Sequence, residues 1–233
     1  MIPARYAASR FPAKLMQILG NKTVISHTYD ATVATQLFDK VIVVTDSDII
    51  YNEIMSQGGV AMMSKRPHES GSDRIAEAAE ELDVDVIINV QGDEPFIQKE
   101  PLARLVHLFD DPSVMVGSLM RKFTADEDVS KTSSVKVVVN KNNDALYFSR
   151  SVIPHVANTS IHTAHYLHIG VYGFRKEALL NFTQWPASVL EQAEKLEQLR
   201  YLENGVPIRM ALVDFKSLAI DTPEDLARAK GML

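Results

Sequence analysis

Cysteine is absent from the 233 residues, which excludes disulfides and thiolate metal sites and leaves carboxylates, imidazoles and carbonyls as the groups able to hold a metal. No signal-peptide pattern and no apolar run of about twenty residues is present, so a cytoplasmic address without membrane association is expected. Basic residues are in deficit, 24 Lys and Arg against 30 Asp and Glu. The net charge of −6 argues against general binding to nucleic acid or anionic membranes. An anionic ligand must therefore be met by local cations or a bound divalent ion. Also missing are internal repeats, low-complexity tracts and any Gly-, Pro- or Ser-rich linker, so residues 1–233 are expected to form a single domain. Neither GxxxxGK[ST] nor GxGxxG occurs.

What is present is ordinary for a packed soluble protein: 46% hydrophobic and 23% charged residues. Apolar runs alternate with helical patterns, the signature of an α/β fold in which a mostly parallel sheet carries helices on both faces, a three-layer αβα sandwich. Strands are expected at Met1–Ile2, Lys40–Asp46, Val60–Ser64 and Val84–Val90, with helices from Val24, over Ser47–Gln57 and over Ser72–Leu82. The second half changes character. Strands over Val114–Lys122, Val135–Asn140, Ala145–Arg150 and Tyr166–Phe174 predict a smaller lobe within roughly 114–185, with Thr124–Ser134 as a polar excursion. Helices from Lys176 and over Val189–Glu203, a strand over Pro207–Val213 and a helix from Pro223 complete the pattern.

Chemistry concentrates in loops beyond strand ends, where an open parallel sheet places its ligands. The opening MIPARYAASRFPAK carries Arg5, Arg10 and Lys14 and no acid; its prolines and small residues predict a loop over Ala4–Arg10 whose N–H groups, with Arg10 and Lys14, suit phosphate oxygens. A solvated basic terminus is the alternative. In HESGSDR, the turn at Ser70, Gly71 and Ser72 opens a helix whose free N–H groups suit a base edge or a phosphate, or it is an ordinary N-cap with Asp73 in the first turn. QGDEP follows the most apolar strand, and Asp93 is the better candidate there for Mg²⁺, which takes one or two carboxylates plus phosphates and water; a polar turn is the alternative. In AIDTPEDL, Thr222, Pro223 and Asp225 read as a helix cap, whereas Asp221 lies outside it and is a second candidate for the cation.

PARYAASRFPAK, HESGSDR, NVQGDEP, VKVVV, ALYFSR, HIGVYGF, LEQLR and IDTPEDL occur in this order, and the ordered set resembles the 3-deoxy-manno-octulosonate cytidylyltransferases, or CMP-Kdo synthetases. The resemblance spans essentially the whole chain. It implies a nucleotidyltransferase fold, CTP and 3-deoxy-D-manno-octulosonate (Kdo) as substrates, Mg²⁺ as cofactor, a role in lipopolysaccharide biosynthesis and a homodimer. It further implies that Ala4, Arg5, Ser9, Arg10 and Lys14 hold the triphosphate, that Ser70, Gly71 and Arg74 lie near the base or ribose, and that Asp93 and Asp221 carry Mg²⁺. Gln91, Arg150, His168, Tyr172, Glu197 and Gln198 line up with segments that surround the sugar acid. His168 and Tyr172, an even number of residues apart on one strand, face one side of it, as sugar ligands or core groups. Arg150 suits a carboxylate or a surface ion pair, and Glu197 with Gln198 falls on a long amphipathic helix whose polar face is the competing explanation. Two departures stand out: only Met1 and Ile2 precede PAR, where the family has a full apolar strand, and KTSS stands where it has an Asn-Pro-Asn-like turn. A cytidylyltransferase for another acidic sugar, such as sialic acid or 8-amino-Kdo, and a noncatalytic nucleotide-binding protein on the same fold are the rival readings.

Overall fold

A computed structural model describes residues 1–7, 11–68, 70–158, 160–161, 163–216 and 218–233. In chain order its elements are β1 (Ile2–Ala4), β2 (Ile18–Leu19), β3 (Lys22–Thr23), α1 (Val24–Ala34), β4 (Val43–Thr45), α2 (Asp48–Ser56), β5 (Ala61–Met63), α3 (Gly71–Glu80), β6 (Val86–Asn89) and α4 (Lys99–His107). Then come β7 (Val116–Lys122), β8 (Lys136–Val139), β9 (Ala145–Ser149), β10 (Tyr166–Arg175), α5 (Lys176–Gln184), α6 (Val189–Glu194), α7 (Leu199–Glu203), β11 (Ile208–Leu212) and α8 (Pro223–Lys230). Two compact units result: Met1–Ala103 with Lys216–Leu233, and Arg104–Phe215. The second extends on both sides of the stretch anticipated as a lobe.

In the first unit β1, β4 and β5 pair in parallel, with Ile2 opposite Val43 and Val43 opposite Ala61. Val90 N–H donates to the Met1 carbonyl at 3.0 Å, which sets the end of β6 beside β1. These strands are short and apolar, and Ile2, Val43 and Val44 are buried, as expected of strands covered on both faces. Helix α2 packs on β4 and β5, and α3 on β1 and β4. Caps follow the sequence closely. Ser70 accepts the Asp73 N–H at 3.1 Å, and Thr222 with Asp225 forms a capping box at the start of α8, with Pro223 in its first turn. Helix α1 stops at Ala34, and Gln36 just beyond it takes a left-handed conformation (φ 56°) that cannot continue the helix.

In the second unit the strand order is β11-β7-β10-β8-β9; β11 runs parallel to β7 and the other pairs are antiparallel. The KNND turn between β8 and β9 is closed by Asn140, whose Oδ1 accepts the Asn142 and Asp144 N–H groups at 2.8 and 2.9 Å, while Asn143 takes φ 62°. The register between β10 and β7 slips between Ile169 and Tyr172, a bulge that leaves His168 and Tyr172 on one side with ring centroids 5.4 Å apart. An aromatic ladder continues through Phe174 to Tyr201 and Phe182.

The single helix expected over Val189–Glu203 is instead two, and this is a correction. Lys195 adopts φ 54° and the chain turns back, so that the Glu203 carboxylate accepts the Leu190 N–H at 3.1 Å and Glu191 pairs with Arg200. Capping the free N–H groups of α6 and burying Leu196 and Leu199 outweighs the propensity of an uninterrupted helix.

The polar stretch after β7 is anchored by Arg121, which grips Glu127 at 2.6 and 2.7 Å through two N–H groups. That grip holds the Glu127 carboxyl down from 4.5 to about 2. Because the folded-state value is the lower one, the contribution to stability is complete above about 4.5 and is lost as pH falls toward about 2. Urea denaturation as a function of pH should show Glu127→Gln with a shallower acid-side decline than the wild type; identical acid limbs would refute the assignment.

Candidate active site

A cleft of about 350 Å³ in the first unit is lined by Pro3, Ala4, Arg5, Lys14, Leu15, His68, Ser70, Gly71, Arg74, Gln91, Gly92, Asp93 and Asp221. Three of the chemistry-bearing loops therefore reach it, and the start of α8 brings the fourth. Convergence has a backbone cause: the Ile220 N–H donates to the Asp93 carbonyl at 2.9 Å, pinning the segment before α8 to the turn after β6. The Asp221 carboxylate then reaches the Lys14 ammonium that also binds Asp93, while the Asp221 N–H joins the Thr222 cap by donating to Asp225 Oδ2 at 3.1 Å.

Lys14 lies between the two acids. Its Nζ donates to Asp93 Oδ2 and, at 2.9 Å, to Asp221 Oδ1. Burial pulls the ammonium pKa down, but the Asp93 charge and the hydrogen bonds to both carboxylates outweigh it, so the net shift is upward and Lys14 is a cation at neutral pH. Its backbone is fixed by a 3₁₀ turn over Lys14–Met16 that follows Ala13 in a left-handed conformation (φ 52°). Two glycines make the cleft possible by close approach. A Cβ on Gly92 would meet the Pro3 carbonyl at 3.1 Å, and one on Gly71 would meet the Pro3 ring at 3.1 Å.

Of the residues expected to hold the nucleotide, Ala4, Arg5, Lys14, Ser70, Gly71, Arg74 and Asp93 all line the cleft. Ser9 and Arg10 lie outside the described residues. Arg74 is buried and already held, with Nη1 on Ser64 Oγ and Nη2 on Asp46 Oδ2, both at 2.7 Å. The acid that closes the strand KVIVVTD thus orients this guanidinium. His68, at the head of HESGSDR, also lines the cleft; its Nε2 lies 2.7 Å from Glu77 Oε2 on α3, a pairing with no local sequence signal.

Of the sugar-acid candidates, Gln91 lines the same cleft, and its amide approaches Asn89 Oδ1 at 3.4 Å. The other five belong to the second unit. His168 is held by burial at a pKa of about 3, hence neutral, with Nε2 3.0 Å from Ser118 Oγ and its ring edge-on to Phe148. Tyr172 is buried, and burial together with the nearby Glu197 charge pushes its phenol well above 10. Glu197 and Gln198 sit in the break between α6 and α7, not on a helix face, and Gln198 is buried with its Nε2 unpartnered. Arg150 makes no side-chain ion pair among the described residues. Its guanidinium donates to the carbonyls of Glu194 (2.8 Å), Thr132 (3.0 Å) and Lys195 (3.3 Å), so it ties the C-terminus of α6 to the KTSS segment. Lys136, fully buried, does the same from below, donating to the carbonyls of Lys131, Ser134 and Arg150 at 3.0, 2.7 and 2.5 Å.

The fold is one of nucleotidyltransferases. A solved 4-diphosphocytidyl-2C-methyl-D-erythritol synthase from Anaerococcus prevotii superposes with a TM-score of 0.65 at 14% identity, over 99% of this chain and 96% of that one. At 38% identity, a solved CMP:2-keto-3-deoxy-manno-octonic acid synthetase complexed with CTP superposes with a TM-score of 0.94 over 99% of this chain and 95% of its own. The mixed α/β architecture with a mostly parallel central sheet is thereby that of the expected class. Residues 1–211 match the cytidylyltransferase family, and the chain belongs to it. The 3-deoxy-manno-octulosonate cytidylyltransferases of Flavobacterium johnsoniae and Christiangramia forsetii are 54% and 51% identical to it, over 100% of this chain and 97% and 95% of theirs.

Arg150→Met deletes the guanidinium that satisfies three carbonyls. Urea unfolding should report a loss of about 1–3 kcal/mol; unchanged stability would mean that these hydrogen bonds are replaced by water at no cost.

Proposed function

We propose that the chain is a 3-deoxy-manno-octulosonate cytidylyltransferase that joins CTP and Kdo into CMP-Kdo and diphosphate for lipopolysaccharide assembly. The observation that carries this reading is the meeting of Asp93 and Asp221 on one cation, the Lys14 ammonium, inside the cleft that the opening loop and the Ser70–Arg74 turn line. The full-length kinship with proteins named for that reaction supports the choice of sugar.

In the reaction the Kdo 2-hydroxyl oxygen bonds to the α-phosphorus as the bond to the bridging oxygen breaks, diphosphate leaves and the hydroxyl proton is released. Such transfers are governed by positioning and charge neutralisation. The N–H groups at the start of α3 and the Arg5 and Lys14 cations hold the nucleotide against the repulsion of an acidic chain, and Lys14 offsets charge gathering on the departing diphosphate. Arg10 is assigned the same role from its place in the opening motif. Gln91, on the cleft wall, is assigned to the sugar acid, and His168, Tyr172, Glu197 and Gln198 are assigned to it from their family motifs alone, with neutral His168 a hydrogen-bonding group and not a charge. Arg150 belongs to this set through the segment it anchors.

The donor set fits Mg²⁺. Two carboxylates already share one cation, while no group of three or more His, Asp or Glu suited to a metal exists among the described residues, so phosphate oxygens and water are left to complete the shell. Asp93 and Asp221 would hold it. When bound, the ion polarises phosphate and hydroxyl oxygens.

A homodimer formed through the second unit accompanies this reading, since edge strand β9 exposes Leu146 to solvent. No helix among the described residues is long and apolar enough to cross a membrane, and the need for CTP puts the protein in the cytoplasm.

Diphosphate release should require CTP, Kdo and Mg²⁺ together, with ATP, GTP and UTP poor substitutes, and Asp93→Asn or Asp221→Asn should cut the rate roughly 100-fold or more. Turnover of sialic acid in place of Kdo, or full activity in Asp93→Asn, would overturn the sugar or the metal assignment respectively. A monomer by light scattering at working concentration would remove the dimer.

A further inference from the structure

Lys14 is more than a charge beside the phosphates, because its ammonium stands where the two carboxylates meet. It donates to one oxygen of each, Asp93 Oδ2 and Asp221 Oδ1. An ammonium and a divalent cation repel, and neither carboxylate can give the same oxygen fully to both. The ion pair is also no loosely solvated surface contact: the side chains of Lys14 and Asp93 are 18% and 19% exposed. Its root is rigid. Lys14 N–H bonds to the Phe11 carbonyl and its carbonyl accepts the Gln17 N–H, both at 3.2 Å, while neighbouring Leu15 is buried. Only the four-carbon stem is free to turn, so the ammonium leaves by changing rotamer, without refolding the loop.

From this we infer that Lys14 is an internal counter-cation with two stations. It rests on Asp93 and Asp221 until a divalent ion takes those oxygens, and it then swings into the cleft, where its charge meets the triphosphate. This rests on the reading of Asp93 and Asp221 as the Mg²⁺ ligands. The consequence is a coupling. The divalent ion binds weakly alone, since it must break two charge-assisted hydrogen bonds, and more tightly with nucleotide, which gives the displaced ammonium a new partner. Nucleotide binding is strengthened by the metal by the same factor, as linkage requires. Lys14 is thus a positioning residue for the metal as well as a charge for the leaving group.

The test measures metal binding without catalysis. Mn²⁺ is titrated into the full-length protein without nucleotide and free Mn²⁺ is followed by electron paramagnetic resonance. Lys14→Met, and Lys14→Gln as a polar control for folding, should bind Mn²⁺ roughly tenfold more tightly than wild type. The advantage should shrink when a nonhydrolysable CTP analogue is present. In wild-type protein with ¹³C-dimethylated lysines, which keep their charge, Mg²⁺ should shift the one signal that is missing from Lys14→Gln. Equal or weaker Mn²⁺ binding in both Lys14 variants, or a Lys14 signal indifferent to Mg²⁺, overturns the inference. The underlying reading fails differently: Asp93→Asn and Asp221→Asn would then bind Mn²⁺ as well as wild type does. If they lose Mn²⁺ while the Lys14 variants gain nothing, the metal ligands stand and the two-station lysine does not.

Discussion

Two carboxylates from distant parts of a chain do not settle side by side without a cation between them, and in this protein the Lys14 ammonium supplies it. The cleft depends on that triad. Lys14 is presented by a 3₁₀ turn after the opening loop, Asp93 by the turn that follows β6, and Asp221 by the residue before the α8 cap. A single backbone hydrogen bond, Ile220 N–H to the Asp93 carbonyl, brings the last of these to the first two. The capping box of α8 has an indirect part in this, because Asp225 satisfies the N–H groups of Asp221 and Thr222 and leaves the Asp221 carboxylate to face Lys14.

A chain of net charge −6 that binds a triphosphate must gather its cations locally, and two of those that line the cleft, Arg74 and Lys14, have fixed partners. Arg74 is anchored by Asp46 and Lys14 by the two aspartates, and the His68 ring hydrogen-bonds to Glu77. A guanidinium held as Arg74 is loses little conformational entropy when a ligand arrives, which is the advantage of a preorganised site. The second unit applies the same rule with different partners. Lys136 and Arg150 spend their donors on backbone carbonyls, and by doing so fix both the KTSS segment and the break between α6 and α7 that carries Glu197 and Gln198. Lys136 is tolerated in its buried position because its ammonium is satisfied by three carbonyls.

Legibility followed the range of the forces involved. The Ser70 and Thr222 caps, the KNND turn and the apolar strand leading to Asp93 all rest on contacts within a few residues, and their sequence signals matched what formed. Val189–Glu203 reads as one helix because its periodicity is unbroken. It is two because Glu203 and Arg200 reach back to the first turn of α6, a contact that no window of local pattern contains. The same holds for the carbonyls that the Arg150 guanidinium meets and for His68, whose partner Glu77 lies on α3.

By itself, then, the sequence determined the α/β class, the loops on which chemistry sits and the identity of the acids and cations in them, since residue type, period and capping act over a turn or a strand. Only tertiary structure decided that Lys14, Asp93 and Asp221 meet, that Arg74 is pre-set by Asp46, and that the helix after Ser188 breaks. Those outcomes depend on burial and on hydrogen bonds between segments far apart in the chain, whose free energies exceed local propensity but leave no local trace.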